Sequence, residues 1–178
     1  MSTNYTRREW LATVGAASLA SAVRPLAIAA ETQPLQGAFI ILSTPYTIEN
    51  NLHYEDLSTQ VDFLDRCGVH GLVWPQNSSE QRYLSKTERL KGMDVIANAA
   101  HGKRPAVVFG VQADSTREML EDARHAESLN PDGMIAIPPT SASSLKDFQE
   151  YYEALCQVTS RPVFIQTSGG APDVEPTV

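Results

Sequence analysis

From Gly37 to Gln166 short apolar runs alternate with longer amphipathic stretches, and no other feature narrows the fold so far. The apolar runs span 38–42, 70–74, 105–109, 134–137 and 161–166. Most are nearly continuous in apolar character, the pattern of a parallel strand covered on both faces. Between them, residues 55–67 place Leu57, Val61 and Leu64 on one helical face and end at Gly68, a stop signal. Ser85-Lys86-Thr87-Glu88 has the form of a capping box opening a helix that runs to about Ala100. Residues 114–129 group Met119, Leu120, Ala123 and Ala126, and residues 144–159 group Leu145, Phe148, Tyr152 and Leu155. Five strands separated by four helices predict an α/β fold with a parallel sheet and right-handed crossovers. A tightly wound open sheet and part of a barrel both satisfy that pattern. A closed eight-unit barrel needs roughly 200 residues or more, and this chain has 178.

Composition settles the broad class. With 42% hydrophobic and 20% charged residues, the chain has the makeup of a globular protein with a core, not of a disordered or fibrous one. A net charge of −7 is the wrong sign for a nucleic-acid partner. Residues 1–30 stand apart from the rest. Arg7-Arg8 precede Trp10-Leu11, an uncharged stretch of small residues spans 12–22, and Ala27-Ile28-Ala29 has the small-x-small form of a cleavage site. This segment resembles a twin-arginine export signal and predicts a periplasmic mature protein beginning near residue 30. Its apolar core is too short and weak to anchor a membrane span; a tethered amphipathic N-terminus is the competing reading. Removing it takes away three arginines and one glutamate. The remainder is then more acidic still, which argues against docking on anionic lipid.

Other residues carry weaker signals. Cys67 and Cys156 fall near the ends of the first and fourth helices, on separate sectors, and are predicted to be free thiols. His53, His70, His101 and His125 are too dispersed for ligand spacing, so no metal site is expected. His125 and Glu121, one turn apart, read as an exposed pair. Of Tyr151 and Tyr152, one ring should pack on the sheet and the other face outward.

The order of short motifs is more specific than any one of them. Ser43-Thr44-Pro45-Tyr46 ends the first strand, and Cys67-Gly68-Val69-His70-Gly71-Leu72-Val73 leads through the second. Leu84-Ser85-Lys86-Thr87-Glu88-Arg89 opens the second helix, and Gly102-Lys103-Arg104-Pro105-Ala106-Val107-Val108 precedes Gly110-Val111-Gln112-Ala113-Asp114-Ser115-Thr116-Arg117-Glu118. Ala123-Arg124-His125-Ala126-Glu127 then leads to Pro131-Asp132-Gly133-Met134. This succession, over roughly residues 37–176, resembles the dihydrodipicolinate synthase / N-acetylneuraminate lyase family.

The resemblance implies a TIM-type (β/α) barrel of which residues 37–178 supply the first five βα units. It implies an aldolase-type lyase, commonly a homotetramer, that activates a 2-oxo acid such as pyruvate as a lysine Schiff base without a further cofactor. Such chemistry needs a desolvated lysine amine and a hydroxyl relay for protons. The family's lysine lies on the sixth strand, so it is expected beyond Val178; Lys86, Lys91, Lys103 and Lys146 fall on helices or before a strand and read as surface residues. Where the family carries Gly-Thr-Thr-Gly-Glu after the second strand, this chain has Gln76-Asn77-Ser78-Ser79-Glu80. The resemblance therefore makes Thr44, Asn77, Ser78 and Gln166 the substrate-binding candidates. The two family tyrosine positions hold Ser141 and Gln166, and the arginine position holds Ala171. An amide cannot perform the proton transfers of a phenol. The expectation is a lyase of divergent substrate with no catalytic residue among residues 1–178, the alternatives being an exported non-catalytic binding module or a truncated remnant.

Overall fold

The computed structural model describes residues 35–166. The export-signal expectation for residues 1–30 lies outside them. Five strands, β1 (Phe39–Ile41), β2 (Gly71–Trp74), β3 (Ala106–Gly110), β4 (Gly133–Ala136) and β5 (Val163–Ile165), pair in parallel in the order β1-β2-β3-β4-β5. The connecting helices are α1 (Tyr54–Cys67), α2 (Lys86–Ala100), α3 (Thr116–Ser128) and α4 (Leu145–Cys156). Two short 3₁₀ turns, Asn77–Ser79 and Gln81–Tyr83, lie between β2 and α2 and were not anticipated from the sequence. No helix among the described residues is long and apolar enough to cross a membrane.

One contact decides between an open sheet and a barrel. In a flat parallel sheet the first and fifth strands lie about 19 Å apart, four spacings of about 4.8 Å. Here the rings of Phe39 on β1 and Phe164 on β5 meet at 5.9 Å between centroids. The sheet is therefore curled into a partial barrel. The concave face is lined with small residues where the rings cross: a Cβ at Gly71 would fall 2.3 Å from the Phe39 ring. On the convex face Leu72, Trp74, Val107, Phe109, Met134 and Ala136 form one core with Leu57 and Val61 of α1, Met93 and Ile96 of α2, Met119 and Ala123 of α3, and Tyr151 and Leu155 of α4.

The helix boundaries follow from capping. Gly68, past the end of α1, takes φ 72°, and its N–H bonds the Asp65 carbonyl while Val69 N–H reaches back to Leu64. Ser85 and Glu88 form the expected capping box on α2, and Ser144 with Asp147 forms a second on α4. The Ser85 hydroxyl and amide bonds hold the Glu88 carboxyl below its ordinary range, and the Ser143 amide does the same for Asp147. Depressed carboxyls stabilise the fold above their unfolded pKa, and that contribution is lost as pH falls through the folded value. The melting temperature is expected to stay level from pH 7 to about 5 and to drop below about pH 4. In thermal scans monitored by circular dichroism, a Glu88→Gln/Asp147→Asn variant should show a shallower acid limb; an unchanged limb would mean other carboxylates dominate.

The structure corrects several details. Residues of β1 are not buried on both faces: Ile40 and Ile41 are 39% and 42% exposed, because β1 has a neighbour on one side only among the described residues. On α4 the buried stripe is Phe148, Tyr151 and Leu155; Leu145, at the first turn, is exposed. On α3 Leu120 packs half-buried against the core, and Asp122 is buried as well, because Arg89 of α2 meets it there. His125 is not paired with Glu121: its Nε2 lies 2.9 Å from Asp94 Oδ1 and 3.2 Å from the Leu90 carbonyl, tying α3 to α2. Cys67 and Cys156 are both exposed free thiols.

Candidate small-molecule site at the carboxyl ends of the strands

Parallel strands deliver every following loop to one rim, so the residues after β1, β2, β3 and β4 converge although they are far apart in sequence. Hydrogen bonds lace these loops together. Thr44, after β1, donates its hydroxyl to the Ser79 carbonyl at 2.5 Å and accepts from Trp74 Nε1 at 3.2 Å. Ser79 donates to the Leu42 carbonyl at 2.6 Å and is fully buried. After β4, Thr140 donates to Asp114 Oδ1 at 2.6 Å and Ser141 to the Asp114 carbonyl at 2.7 Å, fastening that loop to the one after β3.

Between β2 and β3 two side-chain amides are sealed from solvent, Gln76 at 1% and Gln112 at 5% exposure. Gln76 Oε1 accepts from Asn77 N–H at 2.9 Å, and Gln76 Nε2 lies 3.4 Å from Gln112 Oε1. Gln112 Nε2 donates to the Pro75 carbonyl at 3.1 Å, and its own carbonyl accepts from Gln81 Nε2 at 3.0 Å. The approach depends on Gly110, where a Cβ would stand 1.7 Å from the Pro75 carbonyl oxygen.

Beside this pair opens a cleft of about 400 Å³ lined by residues that include Asn77, Arg82, Arg89, Gln112, Asp114 and Thr140. Its polar walls, with charges of both signs, suit a small polar ligand. Arg89 is fixed by Asp122, Nε to Oδ2 at 2.8 Å, and by the Leu84 carbonyl at 3.0 Å from Nη1. Among the described residues, Asp122 Oδ1 is buried without a hydrogen-bond partner.

Of the sequence-derived candidates only Asn77 lines the cleft; Ser78 is exposed on the same turn, and Thr44 ties the loops after β1 and β2. Gln166 follows β5, its N–H on the Ala136 carbonyl at 3.1 Å, and is half-buried. Each lysine of the chain has a partner away from the strand ends: Lys86 with Glu121, Lys103 with Asp62, Lys146 with Glu150, and Lys91 over the Tyr54 ring. No group of three metal-ligating side chains occurs among the described residues.

Two phenols do reach the rim, from α4. Tyr151 hydroxyl accepts from Ala113 N–H at 3.1 Å and lies 3.3 Å from the Ala113 carbonyl; Tyr152 hydroxyl donates to the Ala136 carbonyl at 3.0 Å. Neither ring faces outward freely, as one was expected to: Tyr151 is buried, Tyr152 half-buried, and they meet edge to face. Burial pushes the Tyr151 hydroxyl up to about 12, and burial raises Tyr152 as well, so both remain protonated at neutral pH. Gln76, Gln112 and Arg89 were missed in the sequence. Each lies inside a motif that carries the resemblance, but as a polar residue at a strand's carboxyl end or a helix's first turns it was given no role there.

A curled parallel half-barrel with a polar cleft on its carboxyl-end rim is the layout of a (β/α)-barrel enzyme domain. Residues 34–168 match the Dihydrodipicolinate synthetase family, and the chain belongs to that family. It is 27% identical over 124 residues to the 4-hydroxy-tetrahydrodipicolinate synthase of Marinobacter nauticus, covering 69% of this chain and 42% of that protein. It is 31% identical over 106 residues to the enzyme of the same name from Methanopyrus kandleri, covering 59% and 35%. In fold it resembles the dihydrodipicolinate synthase of Aquifex aeolicus (TM-score 0.71, 24% identity, 79% of this chain and 47% of that one). It also resembles the N-acetylneuraminate lyase of Proteus mirabilis (TM-score 0.67, 24% identity, 73% and 45%). The chain thus spans less than half the length of each of these relatives.

Proposed function

We propose that this chain forms the amino-terminal part of an aldolase-type lyase that acts on a 2-oxo acid of the pyruvate class through a Schiff base. The observation that carries the reading is the family match over residues 34–168 on a sheet whose strand-end loops bring Asn77 to a polar cleft. In this reading Thr44, Asn77, Ser78 and Gln166 are the substrate-side residues, and no metal or organic cofactor takes part. The electrophile-forming amine comes from a strand beyond Val178, since each of the four lysines here sits on a helix or before a strand. Ser141 and Gln166 at the tyrosine positions point to a substrate other than that of the synthases named above. The protein works as a homo-oligomer in the periplasm, with residues 1–30 as its twin-arginine signal, and has neither nucleic acid nor membrane as partner once that signal is removed.

The second reading, an exported binding module that retained the scaffold without the chemistry, is favoured by one feature: the two phenols that reach the rim from α4, Tyr151 and Tyr152, are bonded to backbone and kept protonated. Incubation with pyruvate and borohydride followed by mass spectrometry separates the two. The 178-residue chain is expected to gain no adduct, and a product read through the codons after Val178 should gain one, on a lysine of that added segment. An adduct on Lys86, Lys91, Lys103 or Lys146 would overturn the assignment of the amine. No adduct on the longer product would leave the binding module as the function.

A further inference from the structure

We draw no further inference here: the strongest candidate, the pair of open sheet edges where Ile40 and Ile41 of β1 and Phe164 and Ile165 of β5 stay exposed, is an apolar face and nothing in the structure shows what covers it.

Discussion

Arg89→Ala is expected to destabilise the fold by about 3–5 kcal/mol, the usual cost of leaving one member of a buried ion pair behind. Asp122 is 1% exposed in its side chain and Arg89 13%. The Asp122 carboxylate depends on Arg89 Nε for its one recorded contact, at Oδ2, and Oδ1 is buried without a partner among the described residues. Truncation would strand that carboxylate in the α2–α3 interface and free the Leu84 carbonyl as well. Against a typical total of about 5–15 kcal/mol for a domain, the loss is a large fraction of the stability. Urea unfolding followed by circular dichroism measures it. Arg89→Ala/Asp122→Leu should recover much of the loss, because an apolar pair of similar volume carries no stranded charge. A single-variant cost under about 1 kcal/mol would mean that water reaches the pair.

Trp74→Ala is expected to cost about 3–5 kcal/mol, the range for deleting a large buried aromatic. Trp74 is fully buried at the end of β2, its six-membered ring lies against Gly92 of α2, and its indole N–H anchors Thr44. A Cβ at Gly92 would stand 2.2 Å from the ring, so α2 comes this close to the sheet only because position 92 has no side chain. That contact makes the prediction specific. Gly92→Ala should destabilise the wild type, where it collides with the ring, and should be neutral or stabilising in the Trp74→Ala background, where it fills part of the cavity. Additive costs in this double-mutant cycle would show that the two residues do not share the contact.

Much of the fold was legible in residue order. Gly68, Ser85 with Glu88, and Ser144 announce helix ends through local backbone chemistry that needs no tertiary partner, and each stands where the sequence placed it. The face of α1 was equally readable, since Leu57, Val61 and Leu64 are its buried residues. The face of α4 was readable in Phe148 and Leu155, but not which of its two tyrosines lies deeper. Tyr151 takes the deep position, where its hydroxyl meets the Ala113 amide, a backbone group 38 residues earlier. Asp122 escaped for a similar reason: a carboxylate in an otherwise small, apolar stripe looks solvated until an arginine on the neighbouring helix is known to meet it.

The candidate site divides along the same line. Asn77, Ser78 and Thr44 could be marked from the motif order, but the amides that surround them could not, because Gln76 and Gln112 are ordinary polar residues at strand ends.

By itself the sequence determined the alternation of strand and helix, because periodicity, capping and turn chemistry act over a few residues at a time, and the order of its motifs carried the resemblance that pointed to the family and to the rim. Tertiary structure alone decided that the sheet curls until Phe39 meets Phe164, that Arg89 and Asp122 share a buried boundary, and that Gln112 meets Gln76. Those outcomes depend on distances between residues 33 to 125 positions apart. The hydrogen bonds and ring contacts that set them form only once the parallel strands bring their ends to a common rim.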